Sequence, residues 1–165
     1  MPSAGKAIAA VAVCCLWPAA AGTWKVDSKS CELSAVTGSG KLGGPVSFSS
    51  ERWTITASRE ALVSAKSRIV KTRGEEAGYR LDTSPIRVIF LGQCQAKDAS
   101  GKVILEAPFL ILDLKEGEIS GSGPGMICYS GDGITESSGA GDTVVIDLNT
   151  DDVSAEGGGW AARRE

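Results

Sequence analysis

At 165 residues, with 42% hydrophobic and 22% charged side chains, the chain has the composition of one globular domain and not of a disordered segment. Histidine is absent, which excludes His-dependent triads, His general bases and His-ligated metals. A net charge of −3 leaves no basic excess to draw in nucleic acid or anionic lipid.

The N-terminus has the form of a secretory signal. Lys6 supplies a basic start, residues 8–16 are an unbroken apolar run, and Pro18 precedes the small residues Ala19, Ala20 and Ala21, so residues 1–21 are expected to be cleaved near Ala21. A buried N-terminal helix is the other reading. The run falls well short of the ~20 residues that cross a bilayer as a helix, and no later stretch reaches that length. Val13 before Cys14 fits lipoprotein processing poorly, so an acyl anchor is not expected. The mature chain then begins with Gly22, is exported to the periplasm or beyond, and is one positive charge poorer without Lys6. It keeps Cys31, Cys94 and Cys128, which would give one disulfide and a spare thiol, or three small buried residues.

From Trp24 onward, short alternating stretches are punctuated by Gly, Ser, Pro and Asp. Strands are expected at Val46–Phe48, Trp53–Thr56, Tyr79–Asp82, Ile86–Leu91, Val103–Leu114, Met126–Tyr129 and Thr143–Leu148. Pro108 cannot donate to a ladder and should mark an edge or a bulge, while Lys115 to Glu118 reads as a hairpin turn around Gly117. Over Ala61–Lys71, Leu62, Val63, Ile69 and Val70 share a helical face. A strand with Val63, Ala65 and Ile69 opposite Ser64, Lys66 and Arg68 is the favoured alternative. Ser120–Gly125 and Gly131–Gly141 read as loops, and residues 151–165, acidic and then Gly-rich, as a mobile tail. Such strands in residues 22–150 must bury one face and manage their edges, and a single antiparallel β-barrel of about eight strands does both. A two-sheet sandwich satisfies the same pattern, and periodicity does not separate the two.

The familiar chemical motifs dissolve on inspection. Gly38-x-Gly40-x-x-Gly43 leads through Pro45 into a strand, not into the helix that a dinucleotide loop needs. Asp147-x-Asn149-x-Asp151 resembles the start of a calcium loop, but Asp152 stands where the turn glycine belongs and Gly158 where the bidentate glutamate belongs. Glu75 and Glu76 are neighbours, so on a strand they face opposite ways. No Gly-x-Ser-x-Gly elbow or Cys-x-x-Cys pair occurs. Neither a cofactor nor a metal is expected.

Gly22-Thr23-Trp24 resembles the Gly-x-Trp opening of lipocalin-like barrels, in which the tryptophan closes one end of the barrel. Together with Trp24-Lys25-Val26-x-Ser28, Tyr79-Arg80-Leu81-Asp82-x-x-Pro85, Met126-Ile127-Cys128-Tyr129, Thr135-Glu136-x-Ser138 and Val144-Val145-Ile146-x-Leu148, it is similar to a short lipocalin-like family of unknown function abundant in planctomycetes. The Gly-x-Trp start followed by Cys31-x-Leu33 is also similar to secreted barrel inhibitors of bacterial metalloproteases.

These resemblances imply a non-enzymatic exported barrel holding one small apolar molecule, since an eight-stranded barrel has room for filling side chains or one small ligand. Its expected lining is Val46, Phe48, Trp53, Ile55, Val88, Phe90, Val103, Leu105 and Phe109, with Gly22 and Trp24 as the structural motif. The competing reading is a protein-binding module, a protease inhibitor or a cell-envelope interaction domain. That module would have a packed interior and an apolar patch near Met126–Tyr129. An enzyme would need a mechanism without histidine, and no spacing nominates one.

Overall fold

The structure, a computed structural model, describes residues 13–19, 22–34, 39–72, 78–131 and 133–163. These residues form strands and turns and no helix. The strands are β1 (Val13–Ala19), β2 (Gly22–Ser28), β3 (Ser30–Ser34), β4 (Ser39–Gly43), β5 (Val46–Ser49), β6 (Trp53–Ala57), β7 (Glu60–Thr72), β8 (Gly78–Asp98), β9 (Val103–Asp113), β10 (Glu118–Ser122), β11 (Ile127–Ser130), β12 (Gly133–Ser137), β13 (Thr143–Asp147), β14 (Val153–Glu156) and β15 (Trp160–Ala162). Every pairing is antiparallel.

The order of pairing shows a meander of long strands, each bent near its middle. Residues 22–34 bend at Lys29, 39–49 at Gly44 and Pro45, 53–72 at Ser58 and Arg59, and 78–98 at Gly92 and Gln93. The bends continue at Pro108, at 123–126, at 138–142 and at 157–159. One half of each long strand builds leaf I, in the order β1-β2-β5-β6-β8-β9-β11-β12-β15. The other half builds leaf II, in the order β3-β4-β7-β8-β9-β10-β13-β14. β8 and β9 run through both, so the crease crosses them without a break.

Burial explains the crease. β5 and β13 bury alternate residues only, so the sheet has one apolar face, and with no helix to cover it the second leaf must do so. Phe48 of leaf I meets Phe90 of leaf II edge to face, with ring centroids 5.0 Å apart and planes at 86°, a favoured aromatic geometry. Gly92 at φ +106 supplies the turn in β8, a conformation closed to ordinary side chains. Opposite it, the β8–β9 register slips between Leu91 and Cys94, which leaves Pro108 at the irregularity, as a residue without an N–H requires.

The expected closed barrel is not found. Among the described residues no ladder joins β14 or β15 back to β1, β2 or β3; closing a cylinder takes a final strand pair that the fold-over replaces. The region 61–71 is strand, within β7, and the turn at Gly117 has φ +74, as expected. Two expected loops contain the strands β10 and β12, because short Gly/Ser segments such as Ile119-Ser120-Gly121 still alternate buried and exposed positions. The segment expected to be a mobile tail pairs as β14 and β15. Val13–Ala19, inside the expected leader, pairs with β2.

Aspartates tie the turns and bends. Asp142, 1% exposed, accepts the backbone N–H groups of Ser138 at 3.1 Å, Gly139 at 2.7 Å and Gly159 at 2.8 Å, and so staples two adjacent bends together. Replacing Asp142 by alanine should cost about 3 kcal/mol, because three donors lose their acceptor at once; the urea midpoint reads it, and an unchanged midpoint would show that water takes over the role.

At Asp113, partial burial pushes the carboxyl up, but the N–H of Glu116, the Arg87 guanidinium and the N–H of Lys115 outweigh it and hold the group below its ordinary value. Asp98 is held low in the same way: burial is outweighed by the Ser100 hydroxyl and the N–H groups of Val103, Ser100 and Lys102. A depressed folded pKa stabilises fully above the unfolded carboxylate value and is lost as pH falls through the folded one. Stability should therefore decline on acidification below about pH 4, and Asp98→Asn with Asp113→Asn should flatten that decline in urea titrations at stepped pH.

Candidate functional site

The interior between the leaves is a continuous apolar layer. Leaf I contributes Trp24, Val26, Val46, Phe48, Trp53, Ile55, Ala96 and Leu105, and leaf II contributes Leu42, Val63, Val88, Phe90, Leu110, Leu112, Ile119, Val144 and Ile146, each at most 2% exposed. Of the lining expected from sequence, Val46, Phe48, Trp53, Ile55, Val88, Phe90 and Leu105 come together here.

Phe109 does not, and Val103 is only half buried. The reason for Phe109 is the break at Pro108. In the leaf I half of β9, Leu105 and Ala107 face inward, whereas in the leaf II half Leu110 and Leu112 do. The bend shifts the alternation by one residue, and Phe109 moves off the inner face. Leu110 and Leu112 are the interior residues that strict alternation misses.

Trp24 is buried as expected, 1% exposed, and its Nε1 has no hydrogen-bond partner. It belongs to the apolar layer of leaf I and does not plug a cylinder. Met126 and Cys128 are also buried, at 0% and 4%, so the apolar surface patch expected of a protein-binding module near Met126–Tyr129 is not there.

Among the described residues, clefts of about 450 to 650 Å³ open to the surface. One lies along the crease between Gln93, Gln95, Glu106 and Pro108, the next beside it between Lys29, Pro45, Thr56 and Ser58, and the third over Lys41, Leu62 and Ile89. Polar and apolar side chains mix in their walls, and each touches the edge of the inner layer, at Cys94 and Ala107, at Val46 and Ala57, and at Val63.

The rims of the two leaves meet at one corner. The turn at residues 50–52 ends two strands of leaf I, and the turn at 148–152 ends two strands of leaf II. Between them the Trp53 indole N–H donates to Asp151 Oδ1 at 3.0 Å, Arg52 Nη1 donates to the Asn149 carbonyl at 3.0 Å, and Arg52 Nη2 pairs with Asp151 Oδ2. Asp151 is a non-glycine residue at φ +63. The suspected calcium loop is thus otherwise engaged. Asp147 Oδ1 accepts the N–H groups of Asn149 at 2.7 Å and Thr150 at 3.3 Å, and Asp151 serves Arg52 and Trp53. No cluster of three metal-ligating side chains occurs among the described residues.

Cys94 and Cys128 are buried thiols in leaf I, and neither is bridged to Cys31. Burial pushes the Cys94 thiol up to about 11, against smaller lowering effects of the Leu110 backbone and Arg59, and burial raises Cys128 as well. High pKa and enclosure make both poor nucleophiles.

No family model and no curated protein matches the chain. Among solved structures it is similar to that of LptH, the LptA-homologous periplasmic component of the lipopolysaccharide transport device of Pseudomonas aeruginosa, at a TM-score of 0.59 and 11% identity over 86% of this chain and 94% of that one. The fold is therefore the β-jellyroll of that protein. This overturns the resemblance to the planctomycete lipocalin-like family and leaves the likeness to barrel inhibitors of metalloproteases without a barrel. Gly-x-Trp marks the start of a strand that buries its tryptophan, which a folded sheet needs as much as a closed one.

In thiol labelling with iodoacetamide at neutral pH, Cys94 and Cys128 should react only once urea opens the fold, slower by about a hundredfold or more in its absence. Peptide mass spectrometry identifies the site, and early modification of Cys94 would contradict the packed interior.

Proposed function

We propose that the chain is an exported, non-enzymatic binding module that takes the apolar portion of an amphiphile, such as an acyl chain, between its two leaves. The observation that carries this reading is the uninterrupted apolar layer along the inside of a sheet that is folded and not sealed. An acyl chain entering that layer gains about 0.8 kcal/mol per buried methylene, offset by the contacts between leaves that it displaces. The fold shared with a periplasmic component of a lipopolysaccharide transport device supports the periplasm as the compartment and a lipid as the ligand class. Residues 1–21 serve as the export signal in this reading, which leaves β2 as the first strand of the mature sheet. The lining residues are Phe48, Trp53, Ile55 and Leu105 of leaf I, faced by Val88, Phe90, Leu110 and Leu112 of leaf II.

The test is direct. Protein exported to the periplasm, purified without detergent and extracted with organic solvent should release a fatty-acyl compound in stoichiometric amount. The delipidated protein should bind N-phenyl-1-naphthylamine with fluorescence enhancement at micromolar affinity, about 8 kcal/mol. A clean extract together with no probe binding refutes the proposal.

A further inference from the structure

The apolar interior is reached only if the leaves part, and the corner formed by Arg52, Trp53, Asn149 and Asp151 is a place where rim is held to rim. We infer that Asp151 is the keeper of a latch across the open side of the fold, and that its release lets the leaves separate there. The inference rests on the proposed binding of an apolar chain, but the latch itself is decided without any ligand.

Several features single out this corner. The crease side is continuous backbone through β8 and β9, so it cannot open without breaking ladders, whereas the Arg52–Asp151 corner is held by side chains. One carboxylate serves both partners, Oδ1 for the Trp53 indole and Oδ2 for the guanidinium, so a single displacement frees both. Trp53 is 2% exposed and belongs to the apolar layer, which ties the state of the latch to the interior lining. The Arg52 and Asp151 side chains are 51% and 40% exposed, so their pairing is open to screening by salt. Asp151 also sits at φ +63, a left-handed conformation that an L side chain other than Asn or Asp rarely adopts. The turn's own backbone bonds, Asp151 N–H to the Asp147 carbonyl and Asp147 N–H to the Asp152 carbonyl, hold that conformation whether or not the corner is closed.

The experiment places a reporter thiol just inside the corner by Leu148→Cys, Leu148 being 4% exposed, and follows its iodoacetamide labelling under native conditions. In that background Asp151→Gly removes the carboxylate while tolerating the positive φ, and Asp151→Asn keeps an oxygen for the Trp53 indole. Labelling of the reporter should accelerate about tenfold in Asp151→Gly and less in Asp151→Asn, while Cys94 and Cys128 stay slow and the urea midpoint falls by no more than that tenfold shift implies, about 1.4 kcal/mol. Raising salt from about 50 mM to about 1 M should speed labelling in the parent and not in Asp151→Gly.

In the delipidated protein without the reporter, Asp151→Gly should raise both the association and the dissociation rates of N-phenyl-1-naphthylamine and move its Kd less than about twofold. Labelling that neither substitution nor salt alters overturns the latch. Accelerated labelling with unaltered probe rates overturns its role as an entrance. A parent protein that takes up no probe overturns the binding reading of the preceding subsection, and the labelling still decides the latch.

Discussion

A sheet with one apolar face and no helix must cover that face with itself, and nearly everything in this structure follows from that. The strands are long enough to serve both leaves, so each is bent near its middle, and the alternation of buried and exposed residues is satisfied separately on either side of the bend. Connectivity stays local, strand to next strand, with the crease supplying the contacts that are distant in space. Phe48 and Phe90 meet face to edge because β5 lies in one leaf and the first half of β8 in the other. Asp142 acts at the same level: holding two neighbouring bends in register keeps the leaves folded along one line.

Sequence made the strands legible and the bends obscure. Val46-Ser47-Phe48 and Val144-Val145-Ile146 alternate plainly, and their inward faces are those observed. Pro108 could be read as an irregularity because proline lacks a donor. What it does to the strand beyond it, shifting the inward face from odd to even positions, depends on a partner bulge at Gly92 and Gln93 that is not visible from β9 alone. For the same reason Phe109 was expected inside and lies outside, while Leu110 and Leu112 went unassigned. β10, β12, β14 and β15 fall in stretches that read as turn, loop or tail, because composition rich in glycine and serine signals turns and strands of three to five residues offer too little alternation to outweigh it.

The choice between barrel and folded sheet was beyond the reach of periodicity, since both bury one face of antiparallel strands. It rests on whether the last strand finds the first, a contact between residues some 130 apart with no local signature. The rim corner was equally hidden. Asp147-x-Asn149-x-Asp151 carried a visible spacing, but it pointed to a metal loop. The actual partners, Arg52 and Trp53, stand almost a hundred residues earlier, and nothing in the local sequence of either turn announces the other.

A barrel and a latched fold differ in what opening them costs. Separating a closed barrel breaks a ladder of backbone hydrogen bonds, each worth about 1 kcal/mol net and leaving paired groups exposed on both strands. Parting the leaves at this corner breaks one half-exposed ion pair, itself worth about 0 to 1 kcal/mol, together with one indole bond and one bond to a backbone carbonyl, and it leaves every ladder whole. On the proposed reading, the interior would be fully packed at rest and still within reach of a ligand. A permanently hollow space lined by Phe, Leu and Ile would forgo the dispersion contacts that hold the leaves together. Packing that yields at the rim would avoid that loss, and in the proposed function an incoming chain would replace the contacts it displaces.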